Sequence, residues 1–176
     1  MKFLETELAG AYVIELERLE DERGFFARTF CRDEFAVHGL HKGFVQCNTS
    51  FNAQRGTLRG MHYQDKPHEE AKLVRCTRGG IYDVVVDIRK TSPTYLRWIA
   101  VELTADNGRM LYVPEGLAHG FQTLEDASEV SYHMSEMYHP ECARGLRWND
   151  PALAIRWPLP DPIISERDAR YPDLKT

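Results

Sequence analysis

The densest polar stretch of the chain, RGTLRGMHYQ from Arg55 to Gln64, sets Arg59 and His62 in a strand-like run broken by Gly60. Strict period-two alternation would send Arg59 and His62 to opposite faces. An isolated glycine within a strand often marks a bulge beside a site, and a bulge at Gly60 would bring the two side chains to one face, so an irregularity is expected there. Histidine ionises closest to neutrality and suits proton transfer. Further on, Lys72 in AKLVRCT shares a face with Val74 and Cys76. Pointing inward it would be a desolvated cation, unusual enough to suggest function; pointing outward it would snorkel to solvent. The segment from Val113 to Phe121 reads P-x-G-x-x-H, a turn that delivers His119 into the next strand.

The elements that must position these residues are mostly strands. AYVIELE from Ala11, GFFARTF from Gly24, GFVQCNTSF from Gly43, GIYDVVVDI from Gly80 and YLRWIAVEL from Tyr95 are short, β-branched or aromatic, and roughly alternating. Gly, Pro, Asn and Asp fall between them at the spacing of an antiparallel sandwich or barrel. Two stretches look helical, Arg32 to His38 and Ser165 to Ala169, the second capped by Ser165, and both belong outside the barrel. From Tyr138 the chain is rich in Pro, Trp and charge and is expected to wrap the body. A length of 176 residues without repeats fits one domain spanning 1–176. With 22 Lys and Arg against 27 Asp and Glu the net charge is −5, which disfavours a broad nucleic-acid surface, though a few arginines could hold one small phosphate ester. No apolar run is long enough to cross a membrane, and the start lacks a signal-peptide pattern, so a cytoplasmic protein is expected. Cys31, Cys47, Cys76 and Cys142 form no CxxC pair and read as reduced thiols in or near the core.

The P-x-G-x-x-H turn resembles that of the cupins, small double-stranded β-helix barrels. Metal-binding cupins pair it with an earlier H-x-H, whereas here the element is His62-Tyr63-Gln64. Two good ligands are too few for a divalent ion, and amide oxygens bind transition metals weakly, so neither a metal nor another cofactor is expected. More specifically, DERGFFARTF, QCNTSFNAQRGTLRGMHYQ, AKLVRCTRGGIYDVVVDIRKTSPTY, LYVPEGLAHGFQTL, EVSYHMSEMY and LRWNDPALAIRWPLPDPIISERDA resemble, in order and over nearly the full length, the dTDP-4-dehydrorhamnose 3,5-epimerase family. That resemblance implies an all-β, cupin-type jelly roll with short peripheral helices and cofactor-free epimerisation of a nucleotide-linked 4-keto-6-deoxy sugar. By resemblance His62 is the base, Asp168 aims its ring, Lys72 faces the enolate oxygen and Tyr132 is the acid on the opposite face. Arg23 and Arg59 match diphosphate contacts, Gln46 and Asn48 a nucleotide-binding pair, Phe25 and Tyr138 aromatics that stack on the pyrimidine, and His119 a sugar contact. The family pattern also implies a homodimer whose subunits lend one another pocket residues.

The chain departs from that pattern with Arg28 where a glutamate is usual, Ala143 where a glutamate is usual, and Arg167 where lysine is common. Arg28 and Arg167 therefore stand as further substrate-binding candidates. The departures keep open an epimerase that inverts one carbon only or takes another nucleotide sugar; a non-catalytic sugar-nucleotide-binding cupin is the reading from outside the enzymes.

Overall fold

The computed structural model describes residues 1–41 and 43–174. The first strands are β1 (Lys2–Glu5), β2 (Tyr12–Glu15), β3 (Leu19–Asp21) and β4 (Gly24–Phe26), followed by helix α1 (Arg32–Val37). The body follows as β5 (Gln46–Asn52), β6 (Thr57–Gln64), β7 (Lys72–Arg78), β8 (Gly80–Asp87), β9 (Trp98–Thr104), β10 (Met110–Val113), β11 (Leu117–Thr123) and β12 (Ser128–Met134). The tail adds β13 (Ala143–Gly145), β14 (Ile163–Ile164) and helix α2 (Glu166–Ala169). One antiparallel sheet runs β1-β2-β10-β7-β12-β5 and the other β13-β6-β11-β8-β9, with β14 added parallel to β6. This is the cupin-type jelly roll. The run from Gly24 is strand only as far as Phe26, where β4 pairs with β3 in a hairpin outside both sheets.

The two sheets face each other across one core. Val74, Cys76, Leu111, Val113 and Val130 of the first meet Ile81, Val85, Leu103, Leu117 and Phe121 of the second. Burying each such aliphatic or aromatic side chain contributes about 1.5–3 kcal/mol. Both outer faces are covered as well. Phe35 of α1 packs on Ile14, Leu73, Met110 and Tyr112 behind the first sheet. The tail lays Leu146, Leu153 and Trp157 on Met61, Val84 and Val86 behind the second. Hydrogen bonds fasten the tail there, the Trp157 indole donating to the Trp148 carbonyl at 2.8 Å and the indole of Trp98 on β9 donating to the Leu153 carbonyl at 3.0 Å. Both helices lie outside the barrel, and Ser165 caps α2 by accepting from the Asp168 backbone N–H at 3.1 Å.

All four cysteines are free, but Cys47 is exposed and does not belong to the core. On β5 the residues Gln46, Asn48 and Ser50 turn inward, so alternation forces Cys47 out. Burial pushes the Cys76 thiol up to about 11. Only the thiolate attacks alkylating reagents. Native protein treated with iodoacetamide at mildly alkaline pH is therefore expected to label at Cys47 first and at Cys76 only after unfolding, as read by peptide mass mapping. Labelling of Cys76 in the folded protein would contradict its burial.

Candidate active site

Where β6 runs against β11, His62 faces His119 and Arg59 faces Phe121, so Gly60 and Met61 together stand opposite the single Gly120. The irregularity expected at Gly60 is thus a bulge. Gly60 has φ +135 and its peptide bond to Met61 is cis. A Cβ there would lie 2.5 Å from the Gly120 Cα, so only glycine lets the strands approach this closely. The extra residue sends Met61 to the outer apolar cluster and turns both Arg59 and His62 into one cavity of roughly 560 Å³.

The same bulge holds the carboxylate behind the histidine. Asp168 Oδ1 lies 2.8 Å from His62 Nε2, and Asp168 Oδ2 accepts the Gly60 backbone N–H at 3.2 Å. Burial alone pushes the Asp168 carboxyl up, but the bonds from His62 and Gly60 and the nearby Arg167 charge outweigh it and hold the group below the usual carboxylate range. An ionised carboxylate on one ring nitrogen fixes the imidazole's orientation and leaves the other nitrogen to meet a ligand.

Lys72 points inward, on the face of Val74 and Cys76, with 7% of its surface exposed. Its ammonium lies 2.9 Å from Glu70 Oε1 and donates to the His62 carbonyl at 3.3 Å. Tyr132, on β12, lines the same cavity; burial pushes its phenol up, with Arg59 offsetting part of the effect, so at neutral pH it carries its proton. His119 also lines the cavity, and its Nε2 lies 2.7 Å from Asp83 Oδ1. The cavity is thus served by a second histidine–carboxylate pair. Neither Asp83 nor Glu70 was singled out by the sequence reading. An aspartate inside the apolar run GIYDVVVDI, and a glutamate two residues before an inward lysine, were the available signals.

Gln46, Asn48, Tyr138 and Arg167 line the cavity with Arg59. The Gln46 amide donates to Asn48 at 3.1 Å, and Arg59 Nε is held by Asn52 at 2.7 Å. Three candidates lie elsewhere in this single chain. Arg23 and Phe25 sit on the β3–β4 hairpin, Arg23 bonded to Asp21 and Phe25 half exposed under the Arg18 guanidinium, while Arg28 pairs with Glu34. Among the described residues, His68, Glu136 and His139 are the group with ligand atoms close enough to suggest a metal. The two imidazoles are stacked, with centroids 3.4 Å apart and planes at 10°, so their in-plane lone pairs do not converge on one ion.

Comparison with known proteins decides the family. The sequence family described as dTDP-4-dehydrorhamnose 3,5-epimerase matches residues 5–176. The enzyme of that name from Methanothermobacter thermautotrophicus is 47% identical, covering 99% of this chain and 95% of the relative. This chain belongs to the dTDP-4-dehydrorhamnose 3,5-epimerase family. The family's epimerase from Bacillus anthracis, solved with TDP and pyrophosphate bound, superimposes with a TM-score of 0.95 at 42% identity, over 98% of this chain and 99% of that one. That from Legionella pneumophila, solved with dTDP-4-keto-L-rhamnose, gives 0.89 at 38% identity, over 96% and 89%. As a member of an epimerase family the chain is an isomerase. Of its departures from the family pattern, Ala143 and Arg167 line the cavity and Arg28 does not.

Proposed function

We propose that this epimerase converts dTDP-4-dehydro-6-deoxy-D-glucose to dTDP-4-dehydro-L-rhamnose by removing and returning protons at carbons 3 and 5, which flank the carbon-4 ketone. The observation that carries the reading is the His62–Asp168 pair, 2.8 Å apart, opening on the cavity that Lys72 and Tyr132 also line. His62 takes the proton alpha to the ketone. Lys72, itself 7% exposed, faces the oxygen on which the enolate charge develops, and such stabilisation is commonly the largest catalytic contribution. Tyr132 returns a proton from the other face, which is what inverts the carbon. His119 contacts the sugar, Arg59 and Arg167 meet the diphosphate, and Gln46, Asn48 and Tyr138 receive the nucleoside. The base, the acid and the cation are all side chains of the chain itself, so the reaction as read calls for no cofactor.

The chain acts as one domain, residues 1–176, in the cytoplasm and as a homodimer. The exposed hairpin supports the dimer: Phe25 and Phe26 are 50% and 71% exposed, and Arg23, Phe25 and Arg28 do not line the cavity that holds His62, so we assign these three to the neighbouring subunit's nucleotide pocket. Among the described residues no helix is long and apolar enough to cross a membrane.

Proton NMR of dTDP-4-keto-6-deoxyglucose with the protein in deuterium oxide and a chelator tests the reading. Loss of both the carbon-3 and carbon-5 signals with a new product is expected. Loss of one signal makes it a mono-epimerase, loss of neither points to another nucleotide sugar or a binding protein, and dependence on metal would end the cofactor-free mechanism. Tyr132→Phe is expected to lower net inversion by about 10²-fold or more while sparing first-proton exchange, because it removes the acid and leaves the base. Equal loss of exchange and inversion in the same spectra would remove Tyr132 from that role.

A further inference from the structure

We propose that Glu70 is a positioning residue that aims the Lys72 ammonium at the substrate's carbonyl oxygen; this rests on the epimerase reading of Lys72. Glu70 lies in the connection between β6 and β7, two residues before Lys72, so in extended chain both side chains fall on one face. Their side chains are 3% and 9% exposed, and Glu70 Oε1 is 2.9 Å from the ammonium. Opposite charges removed from water hold each other firmly, because neither has solvent to turn to. The ammonium has three N–H donors. One meets Glu70, a second meets the His62 carbonyl at 3.3 Å, and the third is left for an oxygen in the cavity that Glu70 and Lys72 both line. The same contacts tie the cation to the strand position that carries the base.

Glu70 has no competing task among the described residues. Its Oε2 is buried without a hydrogen-bond partner. Asp87, a buried carboxylate that serves the fold, has both oxygens occupied by Arg89, with Ser92 and Thr94 added on one of them. A half-satisfied buried carboxylate is costly, and its retention against a single lysine is what a tether for that lysine requires.

The test compares deuterium incorporation by the parent, Glu70→Ala, Glu70→Gln, Lys72→Ala and the Glu70→Ala/Lys72→Ala double variant. Glu70→Ala should lower kcat by about 10²-fold, the size of losing one well-aimed donor to a developing oxyanion, with KM changed far less. Glu70→Gln, which keeps a carbonyl oxygen for the ammonium, should recover part of the loss. The double variant should match Lys72→Ala, since a residue acting only through Lys72 adds nothing once Lys72 is gone. Parent kcat in both Glu70 variants, or the same Glu70→Ala factor with and without Lys72, would overturn the proposal. Parent activity in Lys72→Ala would instead overturn the role of Lys72. Should Glu70→Ala fail to fold by circular dichroism, Glu70→Gln measured in both backgrounds decides the matter by the same rule.

Discussion

Replacing His62 by alanine is expected to abolish deuterium exchange at both carbons of the substrate, a loss of about 10²–10⁴-fold that reflects removal of a positioned general base. The neighbouring groups of the cavity are engaged otherwise: Glu70 is paired with the Lys72 ammonium at 2.9 Å. The cations Lys72, Arg59 and Arg167 cannot accept a proton while charged, Tyr132 holds its own, and His119 is turned to Asp83. The fold should survive. The His62 side chain is 39% exposed, so little apolar burial is lost, and Asp168 keeps the Gly60 N–H and the Arg167 charge. Losing the bond from His62 to a buried carboxylate costs about 1–3 kcal/mol, which thermal unfolding should register as a modest shift. Exchange at the parent rate in a folded His62→Ala protein would refute the assignment of the base.

Gly60→Ala is expected to have the largest effect on stability, about 2–5 kcal/mol from overpacking and a strained backbone together. The added methyl would meet the Gly120 Cα at 2.5 Å and the His119 carbonyl oxygen at 3.0 Å, at a φ of +135 that other residues rarely adopt. Backbone atoms on both sides cannot rotate away as a side chain could. For a chain of this size the melting temperature should fall by roughly 5–20 °C. Activity should fall further than stability, because the bulge turns His62 into the cavity and its N–H holds Asp168. Gly43→Ala is the control: nothing lies within 4 Å of its Cβ position, and the change should stay within about 0.5 kcal/mol. An unchanged melting temperature for Gly60→Ala would mean the strands are not so close.

The strands of the body, the two short helices and the wrapping tail were legible because alternation, turn residues and a serine cap are local properties of the chain. The bulge was legible for the same reason: a lone glycine between two polar residues of a strand is a local conflict with one economical solution. Alternation put Lys72 on the face of Val74 and Cys76 but left open whether that lysine turned inward or snorkelled to solvent; the packed structure turns it inward. The pairing of Asp168 with His62, 106 residues apart, has no local signature. In sequence it was legible only through family resemblance, and in space it depends on the tail docking β14 against β6. Tertiary structure alone brought Asp83 to His119, since a carboxylate's partner depends on which strand lies beside it; β8 pairs with β11 and sets Val85 opposite His119, two residues from Asp83. It likewise placed Arg23, Phe25 and Arg28 outside the cavity, because a hairpin that joins neither sheet takes its position from packing rather than from period. Periodicity assigns a side chain to a face, but only register and docking decide which other side chain it meets there.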